Sequence, residues 1–249
     1  MNSDVIIQAR MGSQRFPGKV LKRILGKPLL GYLVERVRLC KSVAKIVVAT
    51  SAYSGDDAIE EFCRNNGIDC FRGDENDVLD RFFQCAVFYE MKKIVRITGD
   101  CPLIDPELLN GVIQFYAENP GYDLVKTGPT YPEGFDAEIL SIKNLEITWQ
   151  EAKLQSQREH VTTFLWENDQ RFKIKWLSLK EDYSFLRLTV DEPLDFEVVQ
   201  SVIERLYLKT DGNFNLKDIL ALYQGEPALF KKNANIIRNE GYFKSLEKD

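Results

Sequence analysis

Arg10, Arg15 and Lys19 fall within ten consecutive residues of the segment Gln8-Ala9-Arg10-Met11-Gly12-Ser13-Gln14-Arg15-Phe16-Pro17-Gly18-Lys19. The segment directly follows Val5–Gln8, a short apolar run that reads as a strand, so the cations belong to a loop at a strand end. Gly12 and Gly18 permit close backbone approach and unusual φ angles. Such a loop can wrap a triphosphate with backbone N–H groups and point its cations at the oxygens. Arg offers bidentate contacts, while Lys acts as a point charge. The string is neither the GxxxxGK[ST] phosphate loop nor the GxGxxG dinucleotide turn. Read alone, it also fits a solvated basic loop.

The acidic counterpart is Arg96-Ile97-Thr98-Gly99-Asp100-Cys101-Pro102-Leu103-Ile104. A strand ends near Ile97, Gly99 lets the backbone bend, and Pro102 stops the ladder. Asp100 is thereby held at the sheet edge, where a carboxylate can bind magnesium together with phosphate oxygens. The competing role is a turn or cap residue. Leu186–Val190 reads as a strand that ends in Asp191, just before a helix opened by Pro193. Asp191 and Glu192 also suit the positive end of that helix. Asp77, in Arg72-Gly73-Asp74-Glu75-Asn76-Asp77-Val78-Leu79-Asp80-Arg81, fits a helix cap with Arg81 four residues on. His160 is the only histidine, and a lone His is more often a hydrogen-bonded structural residue than a catalyst.

The elements between these loops alternate. Strands are expected at Lys45–Ala49, Asp69–Phe71, Ile94–Ile97 and Asp123–Val125. Helices are expected at Pro28–Cys40, Asp56–Asn65, Asp77–Tyr89 and Pro106–Glu118. That order implies right-handed crossovers and an α/β fold with a mostly parallel sheet, whose ligands bind beyond the C-terminal strand ends. The second half is less regular. Phe135–Ser141, Lys173–Leu179 and Phe185–Val190 read as strands, the last two able to form a mixed sheet. Ile142–Gln155, Arg158–Glu167, Pro193–Leu208 and Leu216–Tyr223 read as helices. The expectation is a single domain over residues 1–230 with a soft internal boundary near Pro129, and a tail over 231–249 that packs locally.

The whole chain sets limits on its partners. Its formal net charge of -5 argues against nucleic acid or an anionic membrane as the main partner. Five cysteines, an odd count without a CxxC pair, favour reduced thiols in a cytoplasmic protein over a disulfide framework. The start MNSDVIIQAR does not read as a signal peptide. No apolar run approaches the ~20 residues of a membrane span.

The basic loop resembles the signature (P/Q)-A-R-x-x-S-x-R-x-P-G-K of the CTP-dependent cytidylyltransferases of acidic sugars, the group of the CMP-sialate and CMP-KDO synthetases. Ala9, Arg10, Ser13, Arg15, Pro17, Gly18 and Lys19 all match. Gly99-Asp100-Cys101-Pro102-Leu103-Ile104 resembles the family's second motif, and Asp191 its late aspartate. The chain departs from the family at Thr98, often Gln there, and at Thr189, where the sialate enzymes carry Asp. Arg72–Arg81, Gly134–Glu138 and Gln157–Thr162 resemble stretches of the spore coat polysaccharide biosynthesis (SpsF) branch.

The resemblance implies a Rossmann-like sheet of the nucleotide-diphospho-sugar transferase type with a smaller mixed acceptor-binding subdomain. Residues 1–128 would hold the nucleotide and 129–230 the acceptor. It implies transfer of CMP from CTP to a sugar or sugar-acid hydroxyl, with release of pyrophosphate, by a homodimer serving surface or spore-coat polysaccharide synthesis. Arg10, Arg15, Lys19 and Asp100 would be catalytic. Ala9, Gly12, Ser13, Arg72, Asp77 and Thr98 would contact the nucleotide, and Asp100 and Asp191 would hold Mg2+. Asp136, Glu138, Arg158, Glu159 and His160 would face the acceptor, Arg158 meeting an acceptor carboxylate. Three rival readings remain: a glycosyltransferase acting on a nucleotide-sugar, a non-catalytic nucleotide-binding paralogue, and a nucleotidyltransferase for another base.

Overall fold

The computed structural model describes residues 2–249. The chain runs through β1 (Ser3–Gln8), a hairpin of β2 (Arg23–Ile24) and β3 (Lys27–Pro28), α1 (Leu29–Arg38), β4 (Val43–Ser51), α2 (Asp57–Asn65), β5 (Asp69–Gly73), α3 (Val78–Phe88), β6 (Lys93–Thr98), α4 (Pro106–Glu118) and β7 (Leu124–Thr127). It continues through β8 (Glu138–Ser141), α5 (Ile142–Glu151), α6 (Gln155–His160), α7 (Thr163–Glu167), β9 (Ile174–Leu177), α8 (Pro193–Thr210), α9 (Leu216–Gly225), α10 (Pro227–Phe230) and α11 (Glu240–Leu246). No described helix is long and apolar enough to cross a membrane.

Seven strands form one sheet in the order β5-β4-β1-β6-β8-β7-β9, with only β8 antiparallel to its neighbours. The centre of the sheet is buried on both faces, as β1 shows. Val5, Ile6 and Ile7 are all 0% exposed, so the strand is a continuous apolar run rather than an alternating one. Val5 and Ile7 pack with α1, α2 and α4, while Ile6 packs with α3, α5 and α7. A third cluster joins α8 and α9 to Tyr32, Phe135, Leu186, Leu188 and Val190. Helix starts follow the sequence signals. Asp77 accepts from the Asp80 amide, and Asp105 accepts from the Glu107 and Leu108 amides with Pro106 in the first helical position.

The first half follows the sequence expectation to within a few residues at each end. Three expectations for the second half do not hold. Phe185–Val190 is not a strand, because its hydrogen bonds are divided between two segments. Glu133 pairs with Leu186 and Leu188 on either side of Arg187, and the Val190 amide then donates to the Asp100 carbonyl. The helix expected at Arg158–Glu167 is broken at Val161, whose φ is 60. There Val161 is fully buried and the Thr162 hydroxyl donates to Glu138, so tertiary contacts override helix continuity. The tail does not pack locally. Asn233 donates to Asp195, Glu240 pairs with Arg15, Ser245 meets His160, and Asp249 accepts from Ser156.

Two glycines permit the close approaches that place the loops. The Gly99 amide donates to the Gln8 carbonyl at 2.7 Å, and a Cβ on Gly99 would lie 2.9 Å from that oxygen. Gly134 has a φ of 99, and a Cβ there would lie 2.5 Å from the Thr189 amide nitrogen. Replacing Gly134 with alanine therefore adds backbone strain and a backbone clash. Gly134→Ala should destabilise the fold by about 1–3 kcal/mol, read as a lower urea midpoint; an unchanged midpoint would show that the 134 and 189 segments are not locked together.

Candidate active site

Lys19 is where three distant segments meet. Gly18 precedes it in the left-handed region, with a φ of 69, and turns the loop so that its amide donates to the Met11 carbonyl at 2.9 Å. Gly12 has no positive φ among the described residues, so only Gly18 uses the conformational freedom expected of both. Asp56, 2% exposed, anchors the loop to the end of β4. It accepts from the Met11 amide at 2.6 Å and from the Ser51 amide and hydroxyl. Ala9 is buried at the loop's start, and the Ser13 hydroxyl accepts from the Phe16 amide at 3.3 Å.

The Lys19 side chain is 9% exposed. Its Nζ donates to Asp100 Oδ2 at 2.8 Å and to Asp191 Oδ1 at 2.7 Å. Burial pushes the ammonium's pKa down, but the two carboxylates outweigh it and hold Lys19 above its usual value. Burial likewise pushes the Asp100 carboxyl up, and the charge and hydrogen bond of Lys19 override that and hold it at about 2. Backbone contacts fix the same geometry: the Asp100 carbonyl accepts from the Val190 amide at 2.8 Å and from the Thr189 hydroxyl at 3.3 Å. Thr98 supports the turn through a 3.2 Å contact between its hydroxyl and Cys101 Sγ.

Arg15 lies beside this pair. Its guanidinium meets Asp191 at 3.1 Å, Glu192 at 3.3 Å and Glu240 at 2.5 Å. Arg10 is half-buried and makes no hydrogen bond or ion pair among the described residues. Its charge is felt by the fully buried Arg81, whose pKa is lowered first by burial and then by Arg10.

Two carboxylates converging on one cation form a donor set that suits magnesium, which takes one or two protein carboxylates and completes its shell with water and phosphate oxygens. No group of three or more potential ligands exists among the described residues. The metal would therefore depend on the nucleotide for most of its shell.

Behind Asp191 stands a buried network that the sequence reading did not find. Arg187 binds Asp195 through Nε at 2.8 Å and Nη2 at 3.0 Å, and Glu133 through Nη1 at 2.6 Å. Asp195 is 0% exposed and accepts from the Asp191 and Glu192 amides, each at 3.0 Å. Asn233 also donates to Asp195, at 2.8 Å. The available signal was a charged residue inside the apolar run Leu186-Arg187-Leu188.

The remaining candidates scatter. Arg72 braces the end of β4, donating to the Ser51 and Tyr53 carbonyls and pairing with Asp57 and Glu60. Asp77 and Arg158, expected in different halves, bind one another, and Arg158 also donates to the Trp149 carbonyl at 2.7 Å. Asp136 accepts from the Gly134 amide and faces Arg238 at 3.6 Å. Glu138 lies between Arg96 and Lys126. Glu159 is half-buried with no ion pair among the described residues.

Comparison with known proteins places the chain in a family. A family model described as cytidylyltransferase matches residues 5–236. An uncharacterised protein of Methanocaldococcus jannaschii is 36% identical over 95% of this chain and 96% of its own length. The spore coat polysaccharide biosynthesis protein SpsF of Bacillus subtilis is 35% identical over 80% of this chain and 85% of its own. A cytidylyltransferase structure from Leptospira borgpetersenii superposes with a TM-score of 0.88 at 32% identity, over 96% of this chain and 100% of that one. Fold and site thus define a nucleotidyltransferase. Within that class the chain belongs to the cytidylyltransferase family.

His160 gives a clean test of the site's electrostatics. Burial, then the nearby Arg96 charge, push its pKa down to about 4. A folded value below the unfolded value of 6.5 means that stability is fully present above pH 6.5 and is lost as pH falls toward 4. The single imidazole resonance in a proton NMR titration should keep its neutral position to pH 5 and shift with a midpoint near 4. A midpoint near 6.5 would show that His160 is not buried beside Arg96.

Proposed function

We propose that this protein transfers CMP from CTP to a hydroxyl of a sugar or sugar acid, releasing pyrophosphate, with Mg2+ as cofactor. The observation that carries the reading is Lys19 held between Asp100 and Asp191 beside Arg15 of the same loop. A glycosyltransferase would not require this cluster of cations at the end of the first strand. The acceptor class is carried over from relatives: SpsF is named for spore coat polysaccharide biosynthesis, and the acidic-sugar cytidylyltransferases share the loop motifs.

Nucleotidyl transfer is an in-line displacement at the α-phosphorus. A sugar oxygen forms the new P–O bond, the bond to the β-phosphate oxygen breaks, and pyrophosphate leaves with its electron pair. The protein's task is to position the groups and neutralise charge. Arg10, Arg15 and Lys19 face the β- and γ-phosphates and offset the charge that grows on the leaving group. Arg10 has no partner to give up among the described residues, whereas Arg15 exchanges its carboxylates for phosphate oxygens. Asp100 and Asp191 would hold Mg2+, and they take their orientation from Lys19 and from the Arg187–Asp195 pair. When bound, the metal supplies positive charge against the phosphates and acidifies the attacking hydroxyl. His160 is a poor general base because it stays neutral well below pH 7 and is hydrogen-bonded to Ser245. The five free thiols suit a reducing, cytoplasmic setting.

Thermal unfolding with CTP, UTP, GTP and ATP, each with and without magnesium, tests the reading. CTP with magnesium should stabilise the fold by about 2.7 kcal/mol at a hundred times its dissociation constant, with smaller effects from the other nucleotides. Lys19→Met and Asp100→Asn should each lower pyrophosphate release at least ~100-fold, the scale of a lost oxyanion donor. A shift with nucleotide-sugars alone would replace this reading with a glycosyltransferase.

A further inference from the structure

β6, β8 and β7 lie side by side, and each places one charged residue on the same face of the sheet. Arg96 is the cross-strand neighbour of Glu138, and Glu138 is the neighbour of Lys126. Arg96 Nη1 meets Glu138 Oε2 at 2.9 Å, and Lys126 Nζ meets Oε1 at 2.5 Å. The three side chains are 13%, 8% and 14% exposed, in the order Arg96, Glu138, Lys126. Thr162 donates to the same carboxylate at 2.8 Å. Glu138 is therefore spent, yet the cluster holds two cations.

Beyond Glu138, the one further side-chain acceptor for Arg96 among the described residues is the neutral Gln8 Oε1, at 3.5 Å. Trp176 and Trp166 offer Lys126 their ring faces, with centroids 4.5 and 5.5 Å away, but no negative charge. His160 adjoins the cluster and is neutral at pH 7. Asp249 also faces His160, but it is engaged with Ser156. Arg96 Nε is buried without any hydrogen-bond partner. Two nearly buried cations sharing one carboxylate, and a buried donor without an acceptor, are both unfavourable, and an anion supplied from outside would relieve both.

The cluster's place on the sheet says what that anion belongs to. Arg96 precedes Thr98 by two residues on the same strand face, a rise of about 7 Å, and Thr98 leads into Asp100. The cluster extends from β6 across β8 to β7, while Arg96 Nη2 also reaches Gln8 Oε1 at the end of β1, at 3.5 Å. It therefore borders the reacting centre where the second substrate must lie. Arg158, the arginine expected to meet that substrate, is spent on Asp77 and Trp149.

We propose that Arg96 and Lys126 form an anion subsite that fixes a carboxylate or phosphate group of the acceptor, with Glu138 as their counter-ion in the free enzyme. The assignment rests on the cytidylyltransferase reading for what the anion is attached to. The charge argument itself stands apart from the nucleotide.

The test is a tryptophan-fluorescence and thermal-midpoint titration, run with and without CTP and magnesium. Pyruvate serves as the minimal carboxylate and glycerol 3-phosphate as the phosphate monoester. Methyl pyruvate and glycerol are the neutral controls. Lys126→Met leaves the Arg96–Glu138 pair intact and removes the surplus charge. Lys180→Met makes the same charge change at an exposed site. One of the two anions should give a saturable response that its neutral control lacks. That response should weaken at least about tenfold in Lys126→Met and persist in Lys180→Met, while the CTP-induced shift is the same in all three proteins. Equal responses to anion and neutral control, an unchanged response in Lys126→Met, or no response to either anion would overturn the subsite. The comparison of anion with neutral control in the native chain needs no variant to fold. An anion response without any CTP shift would sink the cytidylyltransferase reading and leave the subsite standing.

Discussion

Everything at the candidate site depends on one ammonium group shared between two carboxylates. Lys19 lies 81 residues from Asp100 and 172 from Asp191 in sequence, yet its Nζ is within hydrogen-bond distance of both. Each partner lowers the cost of keeping the others out of water. Without Lys19, two carboxylates would face one another at a sheet edge, and without them a nearly buried ammonium would stand alone. Such a triad is stable only as a unit. It also aims both carboxylates at one point, the arrangement a divalent cation needs.

The triad is kept in place by a buried second tier. Arg187 and Asp195 form a two-point pair, with Glu133 and Asn233 as further partners. Asp195 fixes the Asp191 and Glu192 amides rather than any side chain of the triad. It is the backbone that presents Asp191 that is rigid, while the Asp191 carboxylate stays half-open to solvent. Gly134 lets the 133 segment approach closely enough for Glu133 to reach Arg187. Rigidity behind the site and openness in front of it are compatible because the supporting charges are satisfied mainly among themselves, with Arg187 reaching the Asp191 carboxylate only at 3.4 Å.

The C-terminal segment belongs to the same construction. Asn233 completes the Arg187–Asp195 pair, Arg238 donates to the Tyr131 carbonyl, and Glu240 reaches Arg15. Ser245 and Asp249 then dock on α6 at His160 and Ser156. These last residues thus run from the basic loop to the region of the acceptor candidates. They border both substrates' expected positions, and Glu240 competes directly for a guanidinium expected to bind phosphate.

The sequence by itself determined the parts whose physics is local. The central strands β1 and β4 carry continuous apolar runs, and two of the helices carry their own caps at Asp77 and Asp105, so type and order could be read from the chain. The basic loop was legible because its cations and glycines are crowded into a few residues, and Asp100 because a strand, a glycine and a proline frame it. The tertiary structure alone decided how charges were paired. Arg158 and Asp77, Arg187 and Asp195, and Arg96 and Lys126 about Glu138 are contacts across the fold. No periodicity encodes which buried carboxylate a given cation will find. The same reason undid the second-half elements. Where a segment's hydrogen bonds go to several distant partners, as at 185–190 and at Val161, local propensity carries no information about its shape, and only the assembled sheet determines it.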